Sequence, residues 1–229
     1  MAIIIFSVSI LFISCGNSTI KGSGNIITQA RSVSGYTSIS FSGADELNIT
    51  QGATESLNIT TDDNLMEYIE TTVENGVLKI EFREGVSLDP SDTITFDVAV
   101  IELNSIFFSG AGTIQADALN VVADTFNFTV SGVANCVIVG QAIHQNIIIS
   151  GTCTYEASGF ESTSAAVSLS GVGDLTLWVS DNLDVIISGV GNVYYWGSPV
   201  TNINVSGTGK VEIITINTWL IPVKQVWNR

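Results

Sequence analysis

The chain has 229 residues, 45% of them hydrophobic, with 22 acids against 7 bases and a net charge of −15. Length and apolar content suffice for a sizeable core, and the acidity disfavours nucleic acid and anionic membrane surfaces as partners. No Lys or Arg stands between Ser105 and Gly209, so any surface built from that stretch is Ser, Thr, Asn and Gly with scattered acids.

Residues 1–15, MAIIIFSVSILFISC, form a compact apolar run ending at a cysteine and read as a signal peptide with a lipobox region. At the Ser14-Cys15 junction, Cys15 is the candidate for lipidation, which would tie the protein to a membrane through an N-terminal lipid anchor. Two features depart from the lipobox pattern: no Lys or Arg precedes the apolar run, and Phe12 stands where Leu is usual. An ordinary cleaved signal and an uncleaved anchor are the alternatives. Residues 16–23 are polar and read as a linker. No other segment approaches the roughly 20 apolar residues of a membrane span.

From residue 24 the chain reads as one domain to residue 215. Residues 43–108 depart from the rhythm that follows them. DDNLMEYIE places Asp62 and Asp63 before apolar residues, as helix caps would be, and predicts a short helical turn. ETTVENGVLKIEF sets Asn75-Gly76 between two alternating runs, a strong hairpin signal. This excursion is expected to cover the first coil of the structure that follows.

The body is a repeat of Ser-Gly-x-small-polar-apolar. Seven copies start at Ser42, Ser109, Ser131, Ser150, Ser170, Ser188 and Ser206, and the last six lie 22, 19, 20, 18 and 18 residues apart. Three residues before each Ser stand Ile39, Ile106, Phe128, Ile147, Val167, Val185 and Ile203. One residue before stand Phe41, Phe108, Val130, Ile149, Leu169, Ile187 and Val205. This period of two predicts a strand with one face buried. After the glycine, expected to take positive φ in a tight corner, a second strand carries Leu47, Ile114, Cys136, Tyr155, Leu175, Val193 and Val211 inward. A unit of this length is too short for a strand and a packed helix. It fits one coil of a parallel β-helix, and seven coils would stack over roughly 30 Å. An antiparallel sandwich is the alternative fold. Residues 216–229, with Trp219 and Trp227, read as a cap on the last coil, or else as an exposed aromatic platform.

TQARSVSGYTSISFSGADELNITQG, then LNITTDDNLMEYIETTVENGVLKIEF, then the iterated SGxG coils resemble the family of putative autotransporter adhesins with a head GIN domain. The resemblance runs from about Gly24 to Thr215. It implies an all-β, right-handed parallel β-helix on exported, often lipid-anchored proteins of Bacteroidota. It implies no enzymatic activity and supplies no catalytic residues.

The residues agree with a non-enzyme. A polysaccharide lyase needs a base and a neutralising cation, which the coils lack. A hydrolase needs paired carboxylates. Asp181 with Asp184 and Asp117 with Asp124 are the candidates, read as solvated acids near turns. His144 is the single histidine and reads as a turn residue. Cys136 and Cys153 lie on consecutive coils in different columns, with backbones about 8 Å apart, too far for a disulfide. No cofactor and no metal are expected. The candidate binding face is the outward column Thr113, Asn135, Thr154, Asp174, Asn192 and Lys210, one group about every 4.8 Å, suited to a glycan or a protein surface. The expected location is the cell envelope, anchored to the outer membrane. A polysaccharide hydrolase and a purely structural spacer are the alternatives.

Overall fold

The structure is a computed structural model that describes residues 18–215, so Cys15, Trp219 and Trp227 lie outside the described residues. Each Ser-Gly motif joins an upstream strand to a downstream strand, and the seven motifs occupy seven successive levels. The upstream strands pair in parallel, with Ile39, Ile106, Phe128, Ile147, Val167, Val185 and Ile203 as successive Cα partners. The downstream strands do the same through Leu47, Ile114, Cys136, Tyr155, Leu175, Val193 and Val211. Both predicted columns therefore stack residue on residue, and the chain is a parallel β-solenoid rather than a sandwich. Five uninterrupted turns run from Ser109 to Ser206; the first level is separated from them by the excursion.

Three strands, Val133–Ile149, Thr152–Leu169 and Val172–Ile187, are long because they run through the third side of the coil without a break. Each serves as the downstream strand of one level and the upstream strand of the next. Bulges accommodate the bend, with register shifts between Val137 and Gly140 and between Ala157 and Glu161.

Alternation sends every second side chain into one continuous core. Phe41 stacks on Phe108 with ring centroids 5.3 Å apart and meets Phe96 edge-on at 4.9 Å. Phe128 lies 4.8 Å from Tyr155. Such aromatic pairs add to the stabilisation from area burial.

The motif glycine is required for a different reason from the one its corner position implies. None of Gly110, Gly132, Gly151, Gly171, Gly189 or Gly207 has positive φ. Each instead lies directly on the motif glycine below. A Cβ on Gly171 would stand 1.9 Å from the Gly151 carbonyl oxygen, and one on Gly151 would stand 1.9 Å from that of Gly132. The corner is where successive backbones approach most closely, and only glycine fits there.

The excursion builds the N-terminal end. Val77–Phe82 and Thr95–Val100 pair in parallel with the first level and extend both sheets by one strand. Ile69–Glu74 and Ser56–Asp62 then pair antiparallel with them, and Ile26–Arg31 pairs antiparallel with Ser56–Asp62. The predicted hairpin turns at Asn75 (φ 51°) and Gly76 (φ 78°), and the predicted helical turn is a 3-10 turn at Met66–Tyr68. Reversed strand direction closes the stack at this end. Asp62 and Asp63 do not cap the turn, whose flanking Leu65 makes no side-chain cap. Asp62 is fully enclosed and accepts hydrogen bonds from Gly24 N–H at 2.6 Å, Ser91 N–H at 2.9 Å and Ser91 Oγ at 2.6 Å. Asp63 accepts from Ser23 Oγ at 2.6 Å and Asn25 Nδ2 at 2.9 Å. Both acids thus clasp the N-terminal segment. Part of the expected linker belongs to the fold, because Ser18–Lys21 is a strand paired with Val86–Asp89.

The last level departs from the pattern below it. Ile203 and Val205, expected inside, are 44% and 38% exposed. Their strand, Val200–Val205, ends the stack of described residues, so nothing described lies over its upper edge. Ile147, Ile149, Val167, Leu169, Val185 and Ile187 are buried as expected.

Candidate functional site

Four of the six residues of the outward column stand in one registered row. Thr113, Asn135, Thr154 and Asp174 are successive Cα partners, and Glu46 extends the row downward. Thr113, Asn135, Thr154, Asp174 and Lys210 are exposed, and Asn192 is half-buried. Toward the C-terminal end the column bonds to itself and its neighbours. Asn192 donates to Asp174 Oδ1 from its backbone N–H at 2.9 Å and from Nδ2 at 2.8 Å. Lys210 Nζ lies 2.7 Å from Glu212 Oε2 and 5.7 Å from the centre of the Tyr194 ring. The bond to Glu212 raises the Lys210 pKa. A shallow depression between Glu46 and Glu156 crosses the lower half of the column.

The candidate acids are solvated but mostly not in turns. Asp181 and Asp184 belong to the strand Val172–Ile187, both are exposed, and they accept from Ser180 Oγ at 2.6 Å and Asn202 Nδ2 at 3.0 Å respectively. Asp117 lies in the strand Ala111–Asn120, and Asp124 takes φ 62° just before the next strand. His144 is likewise a strand residue, bonded through Nδ1 to Ser164 Oγ. Cys136 and Cys153 are buried free thiols whose Sγ atoms lie 3.8 Å apart. Their mutual hydrogen bond, with burial, pushes the Cys136 thiol well above its usual range. Among the described residues, no three His, Cys, Asp or Glu side chains converge as metal ligands.

Asp45 occupies the small column that higher levels fill with Gly112, Ala134, Cys153 and Gly173. It takes φ 119°, and partial burial pushes its carboxyl up to about 6, partly offset by a hydrogen bond from the Ile94 backbone.

A second ladder, not singled out in the sequence, runs up the bulged third side. Asn120, Gln141, Glu161, Trp178 and Trp196 are successive Cα partners, one per level. Gln51 extends it downward by accepting from Asn120 N–H at 2.6 Å. Gln141 Nε2 donates to Asn120 Oδ1 at 2.8 Å. The ladder borders a groove of about 330 Å³ whose floor includes Ser162. Beneath it lies a buried polar network. Gln145 Nε2 donates to Ser162 Oγ at 2.9 Å, Ser162 Oγ donates to the Trp178 carbonyl at 3.1 Å, and Tyr155 OH donates to Gln145 Oε1 at 3.3 Å. The signal available in the sequence was the pair Trp178 and Trp196, outward aromatics 18 residues apart.

The family model described as "Putative auto-transporter adhesin, head GIN domain" matches residues 35–199. Among solved structures, a putative adhesin from Bacteroides fragilis is 22% identical with a TM-score of 0.72, over 85% of this chain and 100% of that one. A putative adhesin from Parabacteroides distasonis is 22% identical with a TM-score of 0.52, over 86% of this chain and 100% of that one. A putative lipid binding protein from the same species is 21% identical with a TM-score of 0.53 and the same coverages. At these identities the likeness is one of fold. No curated protein matches the chain.

Proposed function

The chain belongs to the head GIN domain family, and from that premise we propose that it is a non-catalytic adhesin of the cell envelope. In this reading, Cys15 carries the lipid anchor to the outer membrane and the solenoid presents its outward faces to a glycan or protein surface. The observation that carries the reading is the outward column, in which Thr113, Asn135, Thr154 and Asp174 are successive partners on a parallel stack and Asn192 bonds to Asp174 from the next level. Evenly spaced hydrogen-bonding groups favour many weak contacts along an extended partner over one tight pocket. The adhesin names of the family and of the similar structures support the same class. Among the described residues, no helix is long and apolar enough to cross a membrane. Asp181 and Asp184 are exposed acids with no cation beside them in the lysine- and arginine-free stretch, a poor setting for acid-base catalysis.

Beads coated with the full-length protein test this under flow over glycan- and matrix-coated surfaces, with released sugar assayed in the effluent. Retention without turnover is expected. Sugar release abolished by Asp181→Asn or Asp184→Asn would replace the adhesin with a hydrolase. In cells, Cys15→Ser is expected to release the protein from the membrane fraction or leave unprocessed precursor. An unlipidated mature protein starting elsewhere would remove the anchor from the account.

A further inference from the structure

The groove on the third side lies apart from the outward column, and three features of it point to one ligand. The first is its wall. Along the groove the ladder passes from planar amides at Asn120 and Gln141, through the carboxylate of Glu161, to the half-buried indole of Trp178. An aromatic face beside a few fixed planar hydrogen-bonding groups suits a ligand with an apolar C–H face and a hydroxylated rim. The second is its floor. The described buried polar residues are Thr61 and Asp62 at the N-terminal clasp and Gln145 and Ser162 here. Buried polar networks are costly unless fully bonded, and when bonded they fix local geometry. This one holds the backbone of Trp178 through Ser162 Oγ, fixing the strand from which the indole projects. The third is charge. No Lys or Arg occurs between Ser105 and Gly209, and Glu161 is the one ionisable group on the groove wall. An anionic ligand would meet repulsion with no compensating cation.

We infer that this groove binds a neutral oligosaccharide chain lying along the solenoid axis, with a sugar ring stacked on Trp178 and hydroxyls bonded to Gln141 and Glu161. The rise per level gives the wall from Asn120 to Trp178 a length of about 14 Å, so the groove takes a short stretch of chain rather than a single ring. The groove also has apolar lining at Val121, Ala142 and Ile143, so palmitate serves as the competing ligand class, and Gln141 and Glu161 on the wall favour a hydroxylated one.

Calorimetric titration of the full-length protein with hexamers of β-1,4-glucan, β-1,4-xylan and β-1,4-mannan tests the site, with oligogalacturonate and palmitate as the anionic and lipid counterparts. At least one neutral hexamer is expected to bind, oligogalacturonate and palmitate are not, and Trp178→Ala is expected to weaken binding about tenfold or more. Because Trp178 is half-buried, circular dichroism and the melting temperature accompany that variant. The exposed changes Gln141→Ala and Glu161→Ala should each weaken binding with the fold intact. Alanine at Thr113, Asn135 and Thr154 should leave groove binding unchanged, which separates this site from the outward column. Failure of all three neutral hexamers, tighter binding of palmitate or oligogalacturonate, or equal affinity in a folded Trp178→Ala variant would overturn the assignment.

Discussion

At the scale of single residues, the Ser-Gly signature is a packing constraint between coils. The motif was legible because it recurs, yet its physical cause was not, because close approach between levels depends on residues about 20 positions apart and leaves no local mark. Positive φ and crowding both select glycine, and only the stacked geometry tells them apart. Gly171→Ala is therefore expected to cost about 3 kcal/mol, since its Cβ would stand 1.9 Å from the Gly151 carbonyl oxygen. A corner glycine needed only for its own dihedrals would tolerate alanine here, since Gly171 lacks positive φ. Urea melts of Gly171→Ala beside the exposed neighbour Val172→Ala measure the difference. Asp45 predicts the opposite sign. It is a charged residue at φ 119° in a column of small residues, with its carboxyl pushed from 3.8 up to about 6. A folded-state pKa above the unfolded value means that stability is fully present below 3.8 and is lost as pH rises through about 6. Replacing the acid removes that loss, and glycine also relieves the backbone. Asp45→Gly should stabilise the protein by about 1–2 kcal/mol at pH 7, after allowance for solvent screening of a half-exposed group. The gain should shrink at pH 4. Equal gains at both pH values would assign the effect to backbone strain alone.

At the scale of elements, what could be read in advance divides along one line. Between Ser-Gly and the inward residue after it the spacing is constant, so one alignment places the apolar columns up to Ile187 and Val193 inside and brings Thr113, Asn135, Thr154 and Asp174 into one outward row, while Ile203 and Val205 at the last level are exposed. On the third side the spacing is not constant. Asn120 lies 11 residues after Ser109, Gln141 lies 10 after Ser131, Glu161 lies 11 after Ser150, and Trp178 lies 8 after Ser170. Bulges absorb these differences and bring the four into register, so no fixed-offset alignment reveals the ladder. The N-terminal clasp was missed for a related reason. The sequence neighbours of Asp62 and Asp63 point to a helix cap, while their donors sit about 30 to 40 positions away. The clasp has a pH signature. The bond from Ser91 Oγ, with backbone N–H donors, lowers the Asp62 pKa below 3.8, and Ser23 and Asn25 do the same for Asp63. Depressed carboxyls contribute stability above the unfolded pKa and lose it as pH falls through the folded one. Amides of residues 18–31 are therefore expected to lose exchange protection first on acidification below pH 3.8. Asp62→Asn should expose them at pH 7 while amides of Val167–Leu169 stay protected. Uniform loss across the coils would mean that the clasp and the solenoid unfold as one unit.

At the scale of the whole molecule, the two ends differ and the middle repeats. Reversed strands close the N-terminal end of the described residues, and the coils carry the outward column along the stack. A platform of this form gains affinity from the number of levels engaged, because each contact is worth about 0.5–1.5 kcal/mol or less and all are held in a fixed row. The most direct test is to compare single and combined alanine variants at Thr113, Asn135, Thr154, Asp174, Asn192 and Lys210 in the bead-retention assay, with melting temperatures confirming the fold. Each single change should lower retention only slightly, and the sixfold variant should abolish it. Retention that survives the sixfold change, or that one substitution alone eliminates, would contradict a binding face distributed over the coils.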